Sequence, residues 1–236
     1  MSRRSTHVST DLPTDGAPRM RADARRNREQ ILHAARQVFV DEGPDAPLDE
    51  IARRAGVGIA TLYRRFPQRA DLFRGVATEV LAALTEAARE AIADEGDPVE
   101  ALRVFMHRAL DLKLGSVMPL LLGRISLDEV LDGVGGDAVD PIDELLVRAQ
   151  AAGQLRPDVV FGDITMMIMR LSRPLPGGGR VPEDDALAHR HLDVYVDGLR
   201  PSGSPRPTTM LSGPAVDAPA FKRLRERVLG DARADD

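Results

Sequence analysis

The feature that most constrains this chain is the spacing of its apolar residues, which recur every three or four positions and are cut into segments by Gly and Pro. Ile31, Ala34, Ala35, Val38 and Phe39 fall at i, i+3, i+4, i+7 and i+8, one stripe of a helix. Gly43-Pro44 ends that helix, because Gly caps it and Pro cannot continue it. Leu48, Ile51, Ala52 and Ala55 line one side of a shorter helix that stops at Gly56. After Val57-Gly58 a third helix of about two turns runs from Ile59 to Phe66, burying Leu62 and Phe66, and Pro67 closes it. The next starts near Gln68 and runs towards Ala93, roughly 25 residues or ~37 Å at the usual rise.

The same period persists beyond Gly96. Asp97-Pro98 opens a helix to about Leu114, and an apolar segment (117–131) leads into a flexible stretch, DGVGGDAVD. Asp140-Pro141 opens a helix to about Ala152, broken by Gly153. Residues 158–171 are amphipathic and rich in Met and Ile, and the loop RPLPGGGRVP separates them from a last helix, Glu183 to Leu199. No period-2 run occurs, so the expected fold is all-α. Residues 1–23 read as a disordered basic arm, 24–75 as a three-helix head, 76–200 as a helical body and 201–236 as a loose tail, in which AFKRLRERVLGDAR has the pattern of a short helix.

With 43% hydrophobic residues in 236, the chain buries a sizeable core. No Cys occurs, which excludes disulfides, thiolate metal sites and a Cys nucleophile. Aromatics at 3% with no Trp argue against single-strand binding by rows of stacked rings. No run approaches the ~20 apolar residues of a membrane span, and the first twenty residues lack the apolar segment of a secretory signal, so a cytoplasmic protein with no membrane partner is expected. The formal charge of −5 hides an asymmetry: residues 1–75 hold 14 Arg against 10 acids (14 − 10 = +4), and the rest 18 bases against 27 acids (18 − 27 = −9). A basic end on an acidic body fits an end that meets an anionic surface.

Two short helices joined by Ala55-Gly56-Val57-Gly58 and braced by a longer one form a helix-turn-helix. Ala52 and Ala55 allow close approach, Gly56 permits the turn's positive φ, and Val57 plugs the small core. Leu62 and Phe66 point inward, which leaves Ile59, Ala60, Thr61, Tyr63 and Arg64 towards a major groove. Ile51-Ala52, Ala55-Gly56-Val57, Thr61-Leu62-Tyr63, Phe66-Pro67 and Leu72 together resemble the DNA-binding domain of the tetracycline-repressor (TetR) family, over about residues 25–73. The segment from Arg190-His191-Leu192-Asp193 to Asp197-Gly198-Leu199-Arg200 is similar to the C-terminal domain of one of its subgroups. Gly58 and Pro47 depart from the hydroxyl caps common there, and Gln68-Arg69-Ala70 from the usual Ser-Lys-Glu. The lost caps could loosen the turn by ~1 kcal/mol each.

That resemblance implies a transcription regulator, a ligand-responsive repressor on a palindromic operator in double-stranded DNA. Thr61, Tyr63 and Arg69 become phosphate contacts beside the backbone at Gly58; for Tyr63 a half-buried core ring is the other reading. Ala60 and Ile59 could touch a thymine methyl, and Arg64 a guanine or a phosphate. Arg25, Arg26 and Arg28, with Arg19 and Arg21 in the arm, would add salt-dependent affinity. Half-sites ~34–36 Å apart require a two-fold dimer. The resemblance places its four-helix bundle on residues 158–171 and 183–199, with Ile164, Ile168, Leu171, Leu187, Val194 and Tyr195 as contacts. Phe105, Met118 and Met167 are candidates to line a pocket for an unknown apolar effector, the alternative being plain core packing.

No nucleophile–base pair, metal cluster or cofactor loop is present, so neither an enzyme nor a cofactor is expected. Asp185-His189-Asp193 has chelating spacing but reads as a solvated hydrogen-bonded row. Gly177-Gly178-Gly179 lacks phosphate-loop spacing, and Asp132, Asp137 and Asp140 lack that of a calcium loop. A second function class remains: a helical binding protein whose head meets a protein rather than DNA. Its binding would be insensitive to salt.

Overall fold

Residues 16–126, 130, 140–173, 183–201, 211, 213–221 and 223 are described by the structure, a computed structural model. Among them every regular element is helical: α1 (Gly16–Glu42), α2 (Leu48–Arg54), α3 (Ile59–Arg65), α4 (Arg69–Ala93), α5 (Pro98–Asp111), α6 (Leu114–Leu122), α7 (Asp140–Ala151), α8 (Phe161–Leu171) and α9 (Asp184–Gly198). None of these helices is long and apolar enough to cross a membrane. Residues 1–15, Asp132, Asp137, the triple glycine and most of the last fifteen residues lie outside the described set.

The apolar stripe of α1 is fully inside, with Ile31, Ala35, Val38 and Phe39 at 0% exposure. α2 and α3 complete the head with Ile51 and Leu62, and the first turns of α4 close it with Leu72, Phe73 and Val76. The Phe39 and Phe73 rings lie 5.1 Å apart and tilted by 60°, an attractive geometry. Further along, Val80, Leu84, Ala87, Ala88 and Ala91 of α4 are buried where the helix packs on α5 and α7. Around that strut α5, α6 and α8 pack on one another, and α9 covers α5. Asp97 caps α5, its carboxylate accepting from the Val99 and Glu100 amides at 2.9 and 3.2 Å.

Several boundaries differ from expectation. α1 starts at Gly16, so residues 16–23 are helix rather than disordered arm; that stretch carries no apolar stripe to announce it. α5 ends at Asp111, and Lys113, with φ +56°, turns the chain into α6. α8 begins at Phe161 rather than Asp158, because the Asp158 carboxylate holds Arg156 at 2.8 Å and the Leu211 amide at 3.0 Å in a non-helical lead-in. The tail is not wholly loose. The Gly162 amide donates to Val216 O at 2.8 Å, residues 218–221 are helical, and Phe221 meets Phe161 edge-on at 5.5 Å. Of the residues expected at a partner subunit, Ile164 and Ile168 are buried within the chain at 0% and 2% exposure. They share the inward face of α8 at i and i+4, while Val194 is 67% exposed.

Two contacts hold the packing in register. The Arg54 guanidinium clamps α2 to the end of α1, donating to Asp41 at 2.7 Å, Glu42 at 2.6 Å and Glu50 at 2.7 Å. Arg53 donates to Glu50 as well, and these hydrogen bonds, Arg53's the largest, hold the Glu50 carboxyl down at about 2. A group depressed in the folded state stabilises above its unfolded value and loses that contribution as pH falls through the folded one. Urea midpoints followed by circular dichroism from pH 5 to pH 2 are therefore expected to fall more steeply for the native chain than for Glu50→Gln; superimposable profiles would contradict the clamp. At the second contact α6 approaches α8 through Gly115, where an added Cβ would lie 2.2 Å from the Met169 carbonyl oxygen. With backbone on both sides, Gly115→Ala is expected to destabilise by about 1–3 kcal/mol, and an unchanged urea midpoint would refute that packing.

Candidate nucleic-acid interface

The turn between α2 and α3 is closed by its own backbone. Gly56, at φ +67°, follows the cap residue Ala55; its amide donates to Arg53 O at 3.2 Å, and the Val57 amide donates to Ala52 O at 3.0 Å. This is a Schellman motif, which needs the left-handed residue that Gly supplies without a Cβ penalty. The Thr61 and Leu62 amides then donate to Gly58 O at 2.8 and 3.2 Å to start α3. Neither Pro47 nor Gly58 supplies a side-chain cap, and α4 instead starts with the Gln68 amide on the Asp71 carboxylate at 3.0 Å.

Leu62 and Phe66, four residues apart, anchor α3, and their phase decides what faces out. Ala60 and Arg64 are exposed, and Tyr63 is 51% exposed. Thr61 is half-buried, with its Oγ1 accepting from Arg64 Nη2 at 3.4 Å. Ile59 departs from expectation: it is half-buried against the core, since it stands three residues before Leu62 on the anchored side. Gly58 is exposed at the entry. α3 carries no acidic residue; its last residue, Arg65, is exposed, as is Arg53 of α2, which donates to Glu50.

Two arginines expected at DNA, Arg69 as a phosphate contact and Arg28 as part of the basic face, have partners inside the head. Arg69 is half-buried, and its Nη1 donates to Pro44 O and Ala46 O, both at 2.8 Å, which ties the α1–α2 loop to the start of α4. Arg28 is exposed but lays its guanidinium 4.9 Å over the Phe66 ring, a cation–π contact that steadies the end of α3. Arg25 pairs with Glu29 at 2.8 Å. Sequence reasoning missed Arg124, which closes α6 and reaches Asp45 of the same loop at 2.9 Å. That pair joins body to head across 79 positions, and no local pattern announces it.

In the body Phe105 and Met118 are buried and Met167 is half-buried, on three mutually packed helices, α5, α6 and α8. An open cleft lies elsewhere, about 480 Å³ between α1 and the α5–α6 turn. It is lined by His33, Arg36, Gln37, Val40, Asp41, Asp111 and Lys113. This polar wall is unlike the apolar lining expected. His189 bonds to His107 and to Asp111, Asp193 takes Arg103 and His107, and Asp185 takes Lys113, so the Asp185-His189-Asp193 row is spent on α5 and the turn that follows it. Among the described residues no group of three or more His, Asp or Glu is placed to hold a metal ion.

Residues 31–76 match the family model "Bacterial regulatory proteins, tetR family", and residues 97–201 match "Transcriptional regulator SbtR-like, C-terminal domain". The chain is 42% identical over 191 residues to the HTH-type transcriptional repressor LfrR of Mycolicibacterium smegmatis, covering 78% of this chain and 94% of LfrR. It superposes on a TetR transcription regulatory protein from Mycobacterium vanbaalenii with a TM-score of 0.57 and 35% identity, covering 77% of this chain and 99% of that one. With LfrR in complex with proflavine the TM-score is 0.52 at 27% identity, over 72% and 96% of the two chains. These relatives are regulators and not enzymes, and both halves of the chain match the same kind of protein. The chain belongs to the TetR family of bacterial transcription regulators.

Proposed function

We propose that the chain is a ligand-responsive repressor that binds a palindromic operator as a homodimer, with residues 24–75 reading DNA and 76–200 holding the effector and the partner subunit. The observation that carries this reading is α3: a helix anchored by two buried side chains that presents Ala60, Thr61, Tyr63 and Arg64 on an acid-free face. Such a face fits the major groove, with Arg64 at a guanine or a phosphate and Tyr63 and Thr61 at the backbone. Gly58 and Ile59 then border the groove rather than reach into it, and Arg28 and Arg69 act through what they hold. Arg69 fixes the loop under α2, and Arg28 the end of α3.

For dimerisation, Ile164 and Ile168 are buried and Leu171, on the same face of α8, packs against the core of its own chain, which leaves the half-buried Leu187 and the exposed Val194 of α9 as the proposed contacts. Tyr195 stays with its own chain: its hydroxyl donates to Asp163 O at 3.0 Å, and burial pushes its pKa up. The structure of LfrR with proflavine supports a small-molecule effector here. Phe105, Met118 and Met167 are the proposed lining, because methionine side chains repack readily around a guest. An effector need only prefer the DNA-incompetent arrangement, with ~1–3 kcal/mol of coupling typical.

Selection from random duplexes with the purified chain tests this directly. Enrichment of a palindrome is expected, with affinity falling steeply as salt rises; no palindrome, or binding insensitive to salt, would leave the head as a protein-binding module. Tyr63→Ala with Arg64→Ala is expected to cut operator affinity roughly ten-fold or more while leaving the melting temperature unchanged, since both side chains are exposed. Arg69→Ala is expected to lower affinity and melting temperature together, because it releases Pro44 and Ala46; loss of affinity alone would return Arg69 to the role of a phosphate contact.

A further inference from the structure

Between α5 and α9 lie two imidazoles whose hydrogen bonds close in only one way. His107 Nε2 is 3.0 Å from Asp193 Oδ1, His189 Nε2 is 3.1 Å from Asp111 Oδ1, and the two Nδ1 atoms are 2.6 Å apart. The ring centroids are 4.9 Å apart and the planes 17° from parallel, so the two rings lie nearly end to end with their Nδ1 atoms between them. A carboxylate oxygen only accepts, so each Nε2 carries a hydrogen, and in a neutral ring the remaining nitrogen is then a bare lone pair. Two lone pairs facing each other at this distance repel, and so do two N–H groups. One proton between the Nδ1 atoms makes the contact a hydrogen bond.

We propose that His107 and His189 form a single-proton site that latches α5 to α9, closed when the pair carries one proton and loosened when it gains a second or loses the first. The surroundings favour that state. Asp111 and Asp193 accept from the two Nε2 atoms, Asp193 and Asp197 also take Arg103, and Asp185 takes Lys113, so a proton between the Nδ1 atoms completes the row and a second one would set N–H against N–H. Arg103 and then His107 hold the Asp193 carboxyl below its usual range, which keeps it an acceptor. Several charged groups on the neighbouring helices are engaged elsewhere. Glu90 of α4 takes Arg108, Arg148 of α7 donates to Ile92 O and Asp94 O, and the Asp163 carboxylate of α8 takes the Val160 amide. Across the cleft, α1 brings His33, Arg36 and Asp41 to the far side of Asp111 and Lys113; His33 contacts Arg36 and Gln37, and Asp41 takes Arg54.

The separation selects a proton over a metal ion. A cation ~2.0–2.1 Å from each nitrogen in tetrahedral geometry would hold them ~3.3 Å apart. Because α9 covers α5 and α5 packs along α4, the latch lies between the last helix and the strut that carries the head. The inference needs only the α5–α9 contact and does not depend on the dimer or the effector.

Nuclear magnetic resonance of the full chain with ring-15N histidine, from about pH 5 to 9, reads the site directly. Across the middle of the range both Nε2 atoms are expected to report as protonated and the two Nδ1 atoms to share one intermediate position, with the two rings titrating together. His33 and His191 serve as internal references on the same chain. Melting temperature against pH should pass through a maximum in the same range, and His107→Gln or His189→Gln should flatten it. Independent one-proton curves with both Nδ1 atoms bare at neutral pH would overturn the proposal, whether or not either variant folds. So would a rise in melting temperature with stoichiometric zinc that both variants abolish, since it would make the pair a metal seat.

Discussion

Everything in this molecule is hung on α4. Its first turns bury Leu72, Phe73 and Val76 among the helices of the head, and its later turns bury Val80, Leu84, Ala87, Ala88 and Ala91 among those of the body. Head and body therefore share one continuous core rather than meeting at a soft joint. A close-packed interior of this kind transmits displacement, because tilting one end of the helix without the other would open apolar surface. Arg69 at its start and Arg124 at the end of α6 both hold the loop around Asp45, so the reading head is gripped from the strut and from the body at once.

The charge asymmetry of the sequence takes a more specific meaning against this frame. Much of the arginine in the basic end is spent internally: Arg54 on three carboxylates, Arg69 on two carbonyls, Arg28 on the Phe66 ring. Facing outward on α3 are Arg64 and Arg65, with no acid in the helix itself, while Arg25 and Arg26 stand exposed on α1. The head is thus a small basic face on a scaffold stapled by its own ion pairs, carried by an acidic body that a duplex would repel. That combination limits the orientations in which the chain can approach DNA.

The helical class and the turn at Gly56 were legible in the sequence because both are local: a stripe at i, i+3, i+4 and a left-handed residue leave their marks within a few positions. The same phase correctly sent Leu62 and Phe66 inward and Tyr63 outward. It failed at Ile59, Ile164 and Ile168, since periodicity says that a helix has an apolar side but not which neighbour fills it. The start of α1 was missed because residues 16–23 lack a stripe, and the late start of α8 because the anchors that hold Asp158, Arg156 and the Leu211 amide, are tertiary. Arg69 with the loop carbonyls, Arg124 with Asp45 and His107 with His189 join positions 23 to 82 residues apart, and nothing in a linear reading pairs them.

The central claim is that the exposed face of α3 lies in a major groove. Methylation interference on an operator obtained by selection tests it most directly, because guanine N7 is a major-groove atom. The account predicts two patches of interference related by the two-fold axis of the palindrome and about one helical turn or a multiple of it apart, both lost with Tyr63→Ala and Arg64→Ala. Binding unaffected by N7 methylation, or interference confined to minor-groove adenine N3, would contradict it.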